Sequence, residues 1–105
     1  MTRERRIAKR IEKRIPVKFI QSGSKEEYAI NASLTGFLVE SEKFYEVNTK
    51  LFLELYIPNQ KPVHCETRVV WINPKVLGAD IYKIGLNIIK ISRDDKERFK
   101  KYLYE

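Results

Sequence analysis

The sequence predicts an all-β domain: a six-stranded antiparallel barrel of Greek-key type, with a C-terminal α-helix and a basic N-terminal arm. Three observations carry this reading. Six short segments alternate apolar and polar residues with the period of two that marks strands, and turn residues separate them every ten residues or so. Only residues 93–104, at the end, switch to helical spacing. The strands are also apolar enough that an open sheet would present edges prone to pairing with other chains, and closure removes them.

The arm, residues 1–14, comes first. Residues 3–18, RERRIAKRIEKRIPVK, hold eight basic side chains (Arg3, Arg5, Arg6, Lys9, Arg10, Lys13, Arg14, Lys18) and two acids (Glu4, Glu12), so they carry six of the chain's seven net positive charges. The remaining chain is nearly neutral, and such asymmetry points to an anionic partner. Arginine predominates, and its planar fork of donors can grip phosphate or the Hoogsteen edge of guanine. The same residues also fit a solubilising tail, a membrane-surface helix with a thin apolar face (Ile7, Ala8, Ile11), or a generic nucleic-acid arm. A helix over residues 3–13 would place Arg6, Arg10 and Arg14 on one face, and Pro16 would end it near Arg14. Few apolar side chains and many like charges predict that residues 1–13 are poorly ordered until an anion orders those around Arg10–Arg14.

The barrel, residues 15–105, follows. Ile15, Val17 and Phe19 alternate with Pro16, Lys18 and Ile20 to give the first strand. Gln21 to Lys25 form a turn around Gly23, and Tyr28 to Ile30 return as the second strand of a hairpin. The hexapeptide Asn31-Ala32-Ser33-Leu34-Thr35-Gly36 reads as a polar turn: Asn and Ser side chains bond nearby backbone, and Gly36 widens the allowed conformations. Phe37 to Glu40 form the next strand, and residues 41–50 a connection. Leu51, Leu53, Leu55 and Ile57 share one face of a long strand, which Pro58-Asn59-Gln60 turns. Val63, Cys65, Thr67, Val69 and Trp71 form the apolar face of the next, ended by Asn73-Pro74 and a loop past Gly78. The last strand, Tyr82 to Ile91, puts Ile84, Leu86 and Ile88 on one face. Ser92 is placed to cap the helix, Asp94 and Asp95 suit its positive end, and Phe99, Tyr102 and Leu103 mark its buried stripe.

The totals narrow the function. At 105 residues, 43% hydrophobic and 33% charged, the chain is sized for one soluble domain. No apolar run approaches the roughly 18–20 residues that span a bilayer, and no apolar segment of secretory type follows the basic start. A single cysteine allows no intrachain disulfide and makes a reducing cytoplasm the default. His64 and Cys65 are neighbours on a strand, so their side chains point to opposite faces and cannot pair as thiolate and imidazole. One His and one Cys are too few for a zinc site within one chain. Phosphate-loop and dinucleotide-fold glycine motifs are missing from the sequence. No constellation for catalysis is present, so the chain is expected not to be an enzyme and to need no metal or cofactor. Cys65 and Trp71, on the apolar face, are expected in the core.

Two pieces stand in a fixed order: Arg10-Ile-Glu-Lys-Arg14, an RxxxR directly before a strand, and Asn31-Ala-Ser-Leu-Thr-Gly36, a [D/N]xSxxG between strands. With one hairpin between them, they resemble the bacterial PilZ domain. The VVWI of residues 69–72 is similar to that family's Trp-bearing strand, and Ile84-Gly85-Leu86 to its late glycine-containing strand. The resemblance covers nearly the whole chain. It implies a receptor for the second messenger cyclic di-GMP, which couples to a protein partner as a monomer or homodimer. It also implies that Arg10 and Arg14 hold the ligand while Asn31, Ser33 and Gly36 form the surface motif. Arg6 repeats the spacing as Arg6-x-x-x-Arg10, so two registers fit; Arg10 and Arg14 are favoured because they abut the strand. Asn31 stands where many members carry Asp, and Ile88 where an aromatic is common. Two other functions remain in view: a small-barrel nucleic-acid binder that uses the arm electrostatically, whose binding should depend steeply on salt and little on the base, and a PilZ-like adaptor that binds proteins without ligand.

Overall fold

The computed structural model describes residues 10–20, 27–73 and 81–104. Arg6, residues 3–9 of the arm, the turn expected at residues 21–25 and the loop expected past Gly78 lie outside the described residues. Six strands, β1 (Ile15–Phe19), β2 (Glu27–Ala32), β3 (Gly36–Ser41), β4 (Lys50–Leu55), β5 (Val63–Asn73) and β6 (Tyr82–Ile91), precede one helix, α1 (Arg93–Tyr104). They close into a barrel in the order β1-β2-β3-β6-β5-β4, with every described pairing antiparallel. The link from β3 to β4 joins strands that are not neighbours, which gives the Greek-key topology expected from the sequence.

Alternation explains the interior. Ile15, Val17 and Phe19 of β1, Leu51, Leu53 and Leu55 of β4, and Val63, Cys65 and Val69 of β5 all face inward and are buried. Thr67, in the same inward row, is fully buried and satisfies its hydroxyl by donating to the Leu51 carbonyl at 2.9 Å. Helix α1 covers the barrel with Phe99 and Leu103, and the Phe99 ring lies 5.7 Å from that of Phe37. Truncating a phenylalanine buried to this degree typically costs about 3–5 kcal/mol. The cap is as expected: the Ser92 hydroxyl accepts from the Asp95 amide at 3.1 Å. Between β4 and β5, Asn59 takes the left-handed backbone (φ 62°) that asparagine tolerates in turns.

Two expectations are corrected. Trp71 is not in the core; it is 43% exposed. The register between β5 and β6 slips between Val69 and Trp71, so the inward parity passes from the odd residues to Ile72, which packs on the core. The hexapeptide is not wholly a turn: Asn31 and Ala32 belong to β2, Gly36 opens β3, and only residues 33–35 lie between strands. Residues 10–13 run along the barrel at the end of β2 and beside α1. Ile11 exchanges two backbone bonds with Ala32, and the Lys13 ammonium donates to the Tyr102 carbonyl at 3.0 Å while lying 4.1 Å from the Tyr102 ring centroid. A cation there suits the carbonyl end of α1.

A candidate nucleotide cleft on the barrel wall

The Ile11–Ala32 bridge fixes where Arg10 sits. It lays the chain alongside the end of β2, and the Arg10 guanidinium then donates to the Asn31 side-chain carbonyl at 2.8 Å. Asn31 faces outward because of a bulge between Ala29 and Asn31: Ala29 and Ala32 are both buried although three residues apart. A regular strand has a period of two and would turn one of those alanines away, so the bulge is what re-aims Asn31.

Arg10 and Asn31 line a cleft of about 300 Å³ together with Leu38, Val70, Trp71 and Asn87, among others. Its wall rests on a close approach between β5 and β6. Trp71 is paired with Gly85, and a Cβ at Gly85 would lie 2.5 Å from the ring carbon Cε2 and 2.8 Å from Cδ1. Only glycine lets the indole lie against β6 there. Among the described residues, no carboxylate lines this cleft, so the Arg10 charge faces an amide-bearing, aromatic surface. Such a surface can offer donors to phosphate or to the acceptor edge of guanine, an acceptor to guanine N1–H and N2–H₂, and a flat face to a base.

The other residues singled out from the sequence fall elsewhere. Arg14 lies over Tyr28, with 4.5 Å from its Cζ to the ring centroid, and its Nη2 is 3.9 Å from Glu40 Oε1. It lines a separate, smaller pocket. Ser33 is fully buried, and its hydroxyl is engaged by the Thr35 amide and hydroxyl, each at 3.1 Å. That geometry shapes the turn. Gly36 has no need of a left-handed backbone; its place is a close contact, because a Cβ there would run into the Leu86 carbonyl oxygen. Sequence reasoning missed Trp71, Val70 and Asn87 as cleft residues. The signal that was available is Gly85, since a glycine inside a strand marks a close approach to another group. Cys65 does face inward as expected, and burial pushes its thiol up to about 12, far from a reactive thiolate.

Fold and cleft together define a small closed β-barrel that carries an open, arginine-bearing pocket on its outer wall. The sequence matches the PilZ domain over residues 4–105, and the chain belongs to that family. None of the curated proteins compared with the sequence matches it. Among solved structures, it is similar to the Bacillus subtilis inhibitor of motility MotI/DgrA, with a TM-score of 0.78 and 19% identity over 98% of this chain and 54% of that one. The chain thus spans about half the length of that protein. It is also similar to the PilZ domain of YcgR from Escherichia coli, solved with cyclic di-GMP, with a TM-score of 0.71 and 14% identity over 95% of this chain and 89% of that one. At such identities the likeness is one of fold.

Proposed function

We propose that this PilZ domain is a cytoplasmic, non-enzymatic receptor for cyclic di-GMP that relays the ligand's level to a protein partner. The observation that carries the proposal is the Arg10–Asn31 pair, 2.8 Å apart in a cleft walled by Trp71. Membership of the family supports the same reading. The N1–H and N2–H₂ edge of guanine is chemically a guanidine. Arg10 therefore occupies Asn31 in the same manner that a bound base would. A guanine entering the cleft takes over the Asn31 carbonyl and sets the Arg10 fork free for phosphate oxygens or for O6 and N7. The exposed indole of Trp71 can cover the base. Release of Arg10 strains the Ile11 bridge, and Lys13 carries the change to the last turn of α1, a surface that a partner can read.

Calorimetry with cyclic di-GMP and cyclic di-AMP tests this. Saturable binding of the first, weaker binding of the second, and a loss of about 1–3 kcal/mol in Arg10→Ala are expected. Binding that ignores the base and falls steeply with salt would instead mark a nucleic-acid binder. No binding to either ligand would favour an adaptor.

A further inference from the structure

The β5–β6 pair slips register twice. One slip, before Trp71, serves the Arg10 cleft; the other lies on a different face. Glu66 pairs with Lys90 but Thr67 with Ile88, which leaves Ile89 as the extra residue of a bulge. Regular alternation would send either Ile89 or Lys90 inward. The bulge turns both outward, and both are exposed. Bulges recur where a strand re-aims side chains for a site.

On the same outer wall, Ile20 and Phe52 stand side by side, joined by the bond from the Ile20 amide to the Phe52 carbonyl at 2.9 Å. They are 48% and 40% exposed, and Ile89 is 43% exposed. Ile20, Phe52, Glu66 and Lys90 line an open groove of about 270 Å³ that reaches the start of α1 and shares no lining residue with the Arg10 cleft. Its acids are already engaged: Glu66 pairs with Lys50 at 3.0 Å, and Asp95 with Arg98 at 2.7 Å. The Lys90 ammonium makes no ion pair or hydrogen bond among the described residues.

We infer that this groove is the docking surface for the protein partner, and that it takes an extended segment of the pattern apolar-x-acidic-x-apolar. The inference deepens the partner half of the receptor reading above. An extended segment sets its i, i+2 and i+4 side chains on one face over about 13 Å. The first apolar residue then meets Ile20 and Phe52, the acid meets Lys90, and the second apolar residue meets Ile89. Exposed apolar side chains beside an unpaired charge are the composition of a recognition surface rather than of a solvated wall. A second copy of the chain fits poorly. The outward side chains of this wall include Lys18, Lys50, Arg68 and Lys90 against the acids Glu54 and Glu66, so two such walls repel. Nucleic acid would satisfy the charge but brings no aliphatic side chain to Ile20 and Ile89.

The test is an NMR titration of the protein, without cyclic di-GMP, with two synthetic peptides. One carries leucine, glutamate and leucine at alternate positions with threonine between them; the other has lysine in place of glutamate. The acidic peptide should shift the amides of Phe52, Glu66, Ile89 and Lys90 saturably, and the lysine peptide should not. Phe52→Thr and Lys90→Met, with melting curves to confirm folding, should each need roughly fivefold more peptide. No saturable shift, shifts confined to other faces, an equal response to both peptides, or folded variants that respond as the parent does would overturn the docking surface. The same shifts produced by a DNA duplex would assign the face to nucleic acid, and sedimentation as a dimer that Phe52→Thr dissociates would assign it to a second copy; either overturns the inference. None of these outcomes bears on the ligand cleft. A protein that takes the acidic peptide but fails to bind cyclic di-GMP in calorimetry would overturn the receptor reading and leave the groove in place.

Discussion

Replacing Gly36 by alanine separates the role of this glycine in the fold from any role at the ligand. The new Cβ would press on the Leu86 carbonyl oxygen, and would lie 3.3 Å from the Leu86 carbonyl carbon and 3.4 Å from the Asn87 Cα. All three are backbone atoms of β6, so no side-chain rotation relieves the contact, and β3 must move away from β6. Overpacking of this kind costs about 1–3 kcal/mol. The neighbouring bond from the Ile88 amide to the Thr35 carbonyl, 2.8 Å long, is strained by the same movement, and weakening it adds about 0.5–1.5 kcal/mol. Against this, alanine restricts the unfolded chain and returns about 0.4–1 kcal/mol. The net loss is about 2 kcal/mol. For a domain of this size, that lowers the melting temperature by about 8–16 °C. Thermal unfolding followed by circular dichroism measures it, and cyclic di-GMP affinity well below the transition should fall much less. An unchanged or raised melting temperature would refute the close-approach argument.

Other outcomes follow from the same geometry. In Gly85→Ala the new methyl meets side-chain rather than backbone atoms, so the half-exposed indole of Trp71 should swing outward; because Trp71 is the chain's one tryptophan, a red-shifted fluorescence spectrum reports it directly. Asn31→Ala removes the acceptor in the cleft and should weaken cyclic di-GMP about tenfold by calorimetry, whereas Asn31→Asp keeps it and should bind at least as well. Asp95 is held below its ordinary 3.8: burial acts to raise it, but the His64 amide at 3.0 Å and Arg98 at 2.7 Å outweigh that. Glu54 is held below 4.5, chiefly by the Tyr56 hydroxyl and then by His64. Both carboxylates are depressed in the fold, so their contribution is complete above the unfolded values and is lost as pH falls through the folded ones. The melting temperature should therefore stay level down to about 4.5 and then decline, with a shallower decline in Asp95→Asn.

The fold was legible in the sequence wherever one face of a strand meets a dry interior. Leu51, Leu53, Leu55 and Ile57 alternate and are all buried, although regular pairing stops at Leu55. The cap at Ser92 and the stripe of Phe99 and Leu103 were equally readable, because local chemistry sets them. Parity failed at the bulges. The run from Val63 to Trp71 alternates without a break in sequence, yet the slip before Trp71 turns the indole from the core to the cleft. Nothing in the composition of Val69-Val70-Trp71 announces the slip; it is set by how β5 must bend to stay paired with β6. The bulge at Asn31 is hidden in the same way, and it decides that Asn31 shares a surface with Tyr28. The motif residues themselves could be named from their order, but their division could not. Arg10 and Asn31 meet at a cleft, Arg14 turns to another pocket, and Ser33 is buried.

The most direct test of the cleft is a heteronuclear NMR titration of the protein with cyclic di-GMP. The indole Nε1–H of Trp71 gives one resonance, and it sits on the wall that Arg10 and Asn31 face. The receptor account predicts that this resonance shifts and saturates together with the amides of Arg10, Asn31 and Gly85, and that Arg10→Ala needs roughly 5- to 150-fold more ligand for the same response. Saturable shifts confined to other parts of the barrel, or an Arg10→Ala protein that responds as the parent does, would contradict it.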